Sequence, residues 1–358
     1  MGYSVKPEYW DWSANNLGFL SDRDYPYTPE NDRDEFIVGI TGGSVANGLA
    51  LESSKDIAQI INSLPGFARK KVVILNLCGG GHHQPQQLLT VSYLISRGQR
   101  FDLIINLDGF NEAYIGWENA QDHKVHATEP AAKFVFGLQN QLLSVHSDAA
   151  KKVFAIRAAK EAAQRKMAAT RSALAYYAAW VGSRRLVEGE VLVESEIGNR
   201  KPDVDYPIFL QPATYANLEH MAQDTAQVWF RASVSLRALA DSVGAVYIHM
   251  IQPNQYYRNR VFSVAEKKQA FSEPPHPGAV IVPMVYRRML DASTGFAARG
   301  VKFVDATSAF NSHSEPLYID PCCHFNKRGY DILIEGHFRE AIAAAIKSHR
   351  GERESARQ

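Results

Sequence analysis

Residues 36–44 read Phe-Ile-Val-Gly-Ile-Thr-Gly-Gly-Ser: an apolar, β-branched run that stops at two glycines and a serine. Such a run, apolar with no clean alternation, is what a parallel strand covered on both faces requires. The pattern of Phe36–Thr41 recurs at Lys71–Leu77, Phe101–Leu107, Ala245–Ile251 and Val301–Asp305. Helical periodicity fills the gaps, at Ser53–Leu64, Pro85–Ser96, Leu218–Ser242, Val280–Ala298 and Asn326–Ser348. Pro85 stands at the start of its helix and Gly98 just past the end, which is the usual punctuation. Strand alternating with helix predicts an α/β domain of three layers, α/β/α, around about five parallel strands.

In open parallel sheets, ligands bind outside the carboxyl ends of the strands. Past the first strand comes Gly42-Gly43-Ser44, and past the second Cys78-Gly79-Gly80-Gly81. The third is followed by Asp108-Gly109-Phe110-Asn111-Glu112, the fourth by Gln252-Pro253-Asn254-Gln255, and the fifth by a segment leading to Asp320 and His324. Glycines and catalytic residue types collect at one edge.

Between the third and fourth strands the chain is too long for a simple crossover. About 114–216 is therefore read as an insertion, with Ala131–Trp180 as one or two long helices rich in Ala, Lys, Gln and Leu. Its basic residues, from Lys151 to Arg171, suggest a solvated helix face. A binding patch is the other reading of these residues, and the insertion could also form a cap over the site or a dimer contact. The core is expected to be a single domain over 1–350, with 351–358 a charged, disordered tail.

Composition narrows the class further. The chain of 358 residues has 46% hydrophobic and 22% charged residues, ordinary for a globular protein. A net charge of +1 points to no nucleic-acid partner. Three cysteines, two of them adjacent, do not make a disulfide framework. No stretch reaches the roughly 20 apolar residues of a membrane span. The sequence as given shows no signal peptide at its start, so it reads as cytoplasmic, or as exported if an N-terminal segment is missing.

Ser44 sits after two glycines and before a helical pattern, as an N-capping serine would and as a nucleophile would. The same glycines match neither a P-loop, for want of Gly-Lys-Ser/Thr, nor a Gly-x-Gly-x-x-Gly dinucleotide loop. A serine hydroxyl needs an adjacent base, and the base an orienting acid. Asp320-Pro-Cys-Cys-His324 offers both on one turn; a capping Asp beside a partly buried His is the bland reading. Gly81 can supply a backbone N–H and Asn111 an amide to a developing oxyanion, although either can also be an ordinary turn residue.

Four blocks in this order resemble the SGNH hydrolases, also called GDSL-type esterases and lipases. The blocks are Gly42-Gly43-Ser44, the glycine run centred on Gly81, Gly109-Phe110-Asn111-Glu112, and Asp320 with His324. The resemblance spans the core from Phe36 to the last helix and omits the insertion. It implies a flavodoxin-like sheet and a serine esterase working through an acyl-enzyme. Ser44 would be the nucleophile, His324 the base and Asp320 its orienting acid. Gly81, Asn111 and the Ser44 N–H would form the oxyanion hole, with Gly80 as an alternative donor. No cofactor or metal is implied. The acid lies four residues before the base where the family has three, so either the turn is wider or a Ser-His dyad does most of the work. Gly43 and Glu112 each replace a family aspartate.

The same edge carries other residues with chemistry of their own. His82 and His83 are adjacent, and adjacent side chains on an extended chain diverge, which makes a poor chelating pair. Cys322 and Cys323 adjoin His324 but lack the separate-segment arrangement of Cys-His enzymes. Gln252, Asn254, Gln255, Tyr256 and Tyr257 suit a sugar, which favours a small or carbohydrate O-acetyl ester as substrate; a plain surface loop is the other reading. An α/β-hydrolase would need Gly-x-Ser-x-Gly in mid-chain, and position 46 is Ala. An O-acyltransferase of the same fold and a non-catalytic carbohydrate-binding relative remain as rival functions. Oligomeric state is not encoded in any motif.

Overall fold

The computed structural model describes residues 14–30, 34–136, 148–170, 172–198, 210–257 and 260–355. Contacts divide the chain into two compact units, one of residues Met1–Ala131 with Pro212–Gln358, the other of Ala132–Gln211.

The first unit is built on five parallel strands: β1 Glu35–Gly42, β2 Lys71–Asn76, β3 Leu103–Asp108, β4 Val246–Ile251 and β5 Lys302–Asp305. Their spatial order is β2-β1-β3-β4-β5, the flavodoxin-like arrangement. Every residue of β1, β3 and β4 is buried, which explains their unbroken apolar runs. The edge strands β2 and β5 are partly exposed and each opens on a lysine, a residue that discourages edge-to-edge pairing.

Helices cover both faces. On one face lie α2 (Ser54–Asn62) and the closing helix, on the other α3 (Gln86–Ser96), α7 (Leu218–Ser242) and α9 (Gly278–Ser293). In α2 the buried residues are Ile57, Ile60 and Ile61, one apolar stripe. In α7 the stripe runs from Met221 through Trp229 to Ala240, and Asn217 caps the helix by accepting from His220 N at 2.9 Å. Two further helices, α1 (Ser44–Glu52) and α4 (Phe110–Asp122), follow the carboxyl ends of β1 and β3.

Three expectations need correction. The inserted unit begins at Ala132 rather than near 114, because Tyr114–Asp122 belongs to α4, which packs on α7 and α9. Buried Gly116 and Asn119 on its inner face hide the apolar stripe from a sequence reading. The single final helix is three segments: α10 (Lys327–Leu333), a π turn (Ile334–Phe338) and α11 (Arg339–Ser355). Residues 351–355 continue α11, where the sequence predicts a tail beginning at 351; 356–358 lie outside the described residues. A short helix not anticipated, α8 (Val264–Ala270), precedes α9.

In the second unit, α5 (Asp148–Ala169) and α6 (Ala173–Gly198) pair with each other. Val153 meets Val193, and the buried Glu190 carboxylate is held by Arg157 at 2.7 Å and Lys160 at 3.3 Å. Basic residues here serve the helix pairing as well as the solvated face.

Candidate active site

The sheet order reverses between β1 and β3, so the crevice outside their carboxyl ends is where an α/β sheet places a ligand. Ser44 leaves β1 there and Asn111 leaves β3. Gly42 makes the exit possible. Its φ is +148°, and an added Cβ would lie 2.1 Å from the Leu107 carbonyl oxygen, so a side chain is excluded. Gly43, not Ser44, occupies the N-cap of α1. The capping role for Ser44 is thereby removed; it is the first helical residue, and its hydroxyl is turned elsewhere.

It is turned to His324. Ser44 Oγ lies 2.7 Å from His324 Nε2, and His324 Nδ1 lies 2.5 Å from Asp320 Oδ2. The four-residue spacing is accommodated by a wider turn. Tyr318 and Phe325 form an antiparallel bridge, with Ile319 N donating to the His324 carbonyl at 3.0 Å. Inside that turn, Asp320 Oδ1 accepts from the N–H groups of Cys322 (2.9 Å), Cys323 (3.0 Å) and His324 (3.2 Å). One carboxylate oxygen folds the turn and the other faces the imidazole.

The charges agree with this geometry. Hydrogen bonding to Asp320, opposed by burial, raises the His324 pKa above the usual imidazole value. Burial pushes Asp320 upward, but His324 and the turn N–H groups outweigh it and hold the carboxyl below its ordinary range.

Asn111 opens α4 beside this pair. Its amide donates to the His82 carbonyl at 2.8 Å, which leaves a second N–H on the same nitrogen. A Cβ on Gly43 would stand 2.1 Å from Asn111 Nδ2 and 3.1 Å from the His82 oxygen. The amide therefore lies directly over the backbone that precedes Ser44, and the absence of a side chain at Gly43 is what lets it approach. Gly43→Ala is expected to displace the amide with the circular-dichroism spectrum unchanged, and, if Asn111 donates to an oxyanion, to lower ester turnover by about 100-fold or more. Wild-type turnover in this variant would dissociate Asn111 from catalysis.

Gly81 has φ +75° in the turn closed by His82 N on the Gly79 carbonyl, and its own carbonyl faces His83 Nδ1 at 3.1 Å. An added Cβ at Gly80 would meet nothing. His83 is buried and its pKa is lowered by that burial. Burial, helped by His83, brings His82 down to about 4, so its ring is neutral near pH 7.

Glu112 ties the second and third segments together. Its carboxylate accepts from Gly109 N at 2.8 Å and Gln84 N at 3.0 Å. Burial, and then the nearby Asp108, raises its pKa well above the carboxylate range. A protonated carboxyl oxygen still accepts; an amide NH2 does not. Glu112→Gln therefore sets a donor against one of two buried N–H groups. It is expected to cost about 1–3 kcal/mol in denaturant unfolding. An unchanged midpoint would mean the two bonds contribute nothing.

The polar segment after β4 is not an open loop. Gln252, Asn254 and Gln255 are buried, which corrects the surface and sugar-facing readings for these three. Gln255 donates to the Asp320 carbonyl at 3.0 Å and to that of Ala270 at 3.2 Å, and Tyr256 OH donates to the Pro321 carbonyl. Gln255 and Tyr256 thereby brace the Asp320 turn. Glu266 supports it from the side, where Oε1 accepts from Leu317 N (2.8 Å), Tyr318 N (2.9 Å) and Arg260 (2.6 Å). Arg260 also reaches the His313 and Glu315 carbonyls.

Sequence reasoning did not find a second buried network, under β3. Asp108 Oδ1 accepts from Trp229 Nε1 and faces His249 Nε2, each at 2.9 Å, while Oδ2 accepts from Asn106. His249 continues to Ser233 at 2.7 Å, and Ser233 to Tyr247 at 3.1 Å. Its only sequence signal was polar residues, Asn106 and His249, inside otherwise apolar strands.

Cys323 is buried and its thiol pKa is pushed well above the usual value by that burial, which disfavours it as a nucleophile. Among the described residues, no helix is long and apolar enough to cross a membrane.

No family model and no curated protein matches the chain. Among solved structures, a GDSL-like lipase from Bacteroides thetaiotaomicron aligns at 10% identity over 90% of this chain and 92% of its own, with a TM-score of 0.41. Likeness at that level carries no statement about activity, which rests on the site alone.

Proposed function

We propose that the chain is a serine ester hydrolase. The observation that carries this reading is the continuous relay from Ser44 Oγ through His324 to Asp320, with the Asn111 amide over Gly43. Ser44 attacks the ester carbonyl while its proton passes to His324 Nε2. The imidazolium so formed is stabilised by the adjacent Asp320 carboxylate, as in serine hydrolases generally. The oxyanion meets the free Asn111 N–H, the Ser44 N–H at the start of α1, and the Gly81 N–H. His324 then returns the proton to the leaving alcohol. A second cycle with water as nucleophile releases the acid from the acyl-enzyme. No step calls for a cofactor.

For the alcohol part we favour a carbohydrate O-acetyl ester. The buried amides after β4 no longer support that choice, but a set of half-buried rings does. Tyr114 lies 4.6 Å from His276, Tyr256 stacks on His276 at 5.8 Å, and Tyr256 itself bonds to the Asp320 turn. Ring faces beside a nucleophile suit the C–H face of a sugar.

The test uses p-nitrophenyl acetate and a phosphonate ester that labels activated serines. Expected are turnover with a nitrophenol burst, and covalent label on the peptide containing Ser44. Label without turnover until an alcohol is supplied would make the protein an O-acyltransferase. Neither label nor turnover would overturn the enzyme reading in favour of a non-catalytic carbohydrate binder.

A further inference from the structure

We propose that Cys322, Cys323 and His324 form a binding site for a soft divalent cation such as Zn(II), and that its occupancy switches off the Ser44–His324 relay. The second half of this proposal rests on the hydrolase reading; the first half does not.

Consecutive side chains on an extended strand point apart. Here the three N–H groups gathered on Asp320 Oδ1 curl the chain, and the side chains come to one side. The two sulfurs are 3.0 Å apart, neither cysteine is in a disulfide, and one ligand atom from each of the three residues lies within 4.8 Å of the others. Metal–sulfur bonds of about 2.3 Å set a tetrahedral ligand–ligand spacing of about 3.7 Å. Separations from 3.0 to 4.8 Å reach that value with adjustments of roughly 1 Å, within side-chain rotation. Two thiolates and an imidazole are the donor set that favours Zn(II) over hard cations. Cys322 and His324 are half-buried while Cys323 is buried, so the ion enters from the Cys322 side.

Binding releases the two thiol protons to solvent and forms two metal–sulfur bonds and one metal–nitrogen bond. An imidazole nitrogen engaged by the metal must leave either Ser44 or Asp320, so His324 no longer accepts the serine proton. The site is therefore inhibitory, unlike a catalytic zinc centre. Cys78, the third cysteine, is buried against the Ile40 carbonyl and takes no part.

The test titrates the full chain with Co(II) and follows the thiolate-to-cobalt charge-transfer absorption, then displaces Co(II) with Zn(II). One equivalent is expected to saturate the band. The band should vanish in Cys322→Ser and persist in Ser44→Ala, with thermal unfolding of metal-free Cys322→Ser close to that of wild type. Ester turnover of the wild type should fall about tenfold or more with stoichiometric Zn(II) and return on chelation. No band in the folded wild type, or a band that survives Cys322→Ser, overturns the site. A band with undiminished turnover overturns the switch. A band in a protein that hydrolyses no ester upholds the site and sinks the hydrolase reading alone. Should Cys322→Ser unfold, Cys323→Ala in the same titration decides between these outcomes.

Discussion

Ser44→Ala is expected to lower ester hydrolysis by about 10,000-fold or more while leaving the fold intact. The magnitude follows from what is removed. Without the hydroxyl there is no acyl-enzyme, and only binding and oxyanion stabilisation remain to assist attack by water. The fold is expected to survive because Ser44 does not cap α1. Gly43 holds the cap position, and the Ser44 side chain's bond is to His324. Steady-state rates with p-nitrophenyl acetate, measured beside a thermal unfolding curve, check both halves. The same variant should take up no phosphonate label. Equal rates in mutant and wild type would mean that the Ser44–His324 hydrogen bond is structural and that the ester is cleaved elsewhere. Comparison with Gly43→Ala adds resolution, since that change removes no reacting group and acts through the Asn111 amide and the His82 carbonyl that the added methyl would crowd.

Much of this arrangement is legible before any coordinates. Parallel strands buried on both faces must be continuous apolar runs, so the five strands stand out and their carboxyl ends locate the crevice. Residues at those ends are close in space whatever lies between them in sequence. That is why Ser44, Asn111 and His324, 280 positions apart at the extremes, are found at one edge. The supporting layer was not legible, for a definite reason. Glu266 and Arg260 are charged residue types, and a charged residue in a loop reads as solvated surface. Only the fold sets Glu266 against the N–H groups of Leu317 and Tyr318, or Glu112 against Gly109 and Gln84. Gln255 misleads in the same way. After β4 it looks like a ligand-facing amide, yet it is spent on the Asp320 carbonyl. Sequence order locates the groups at strand ends; hydrogen-bond partners that hold a turn in place depend on packing between distant segments.

Asp320→Asn addresses the question that the sequence left open, whether the acid four residues before the base takes part or a Ser-His dyad suffices. The substitution is expected to cost about 10,000-fold in turnover with little loss of stability. The three N–H groups converging on Oδ1 fix the orientation of the new amide. Its oxygen must remain toward those donors, since the reverse orientation would set an NH2 against three N–H groups. The amide nitrogen is then left facing His324 Nδ1, where the carboxylate stood at 2.5 Å. Two donors cannot meet, so the imidazole shifts its proton to Nε2 and presents an N–H to Ser44. In that tautomer it cannot take the serine proton. The loss should fall on kcat, with KM little changed, because the substrate touches neither atom that was altered. Asp320→Ala should lose comparable activity and also loosen the turn, lowering the unfolding midpoint as three backbone donors lose their acceptor. A loss of tenfold or less in Asp320→Asn, with the fold unchanged, would assign the chemistry to a dyad and leave Asp320 as the clasp of the turn that presents His324.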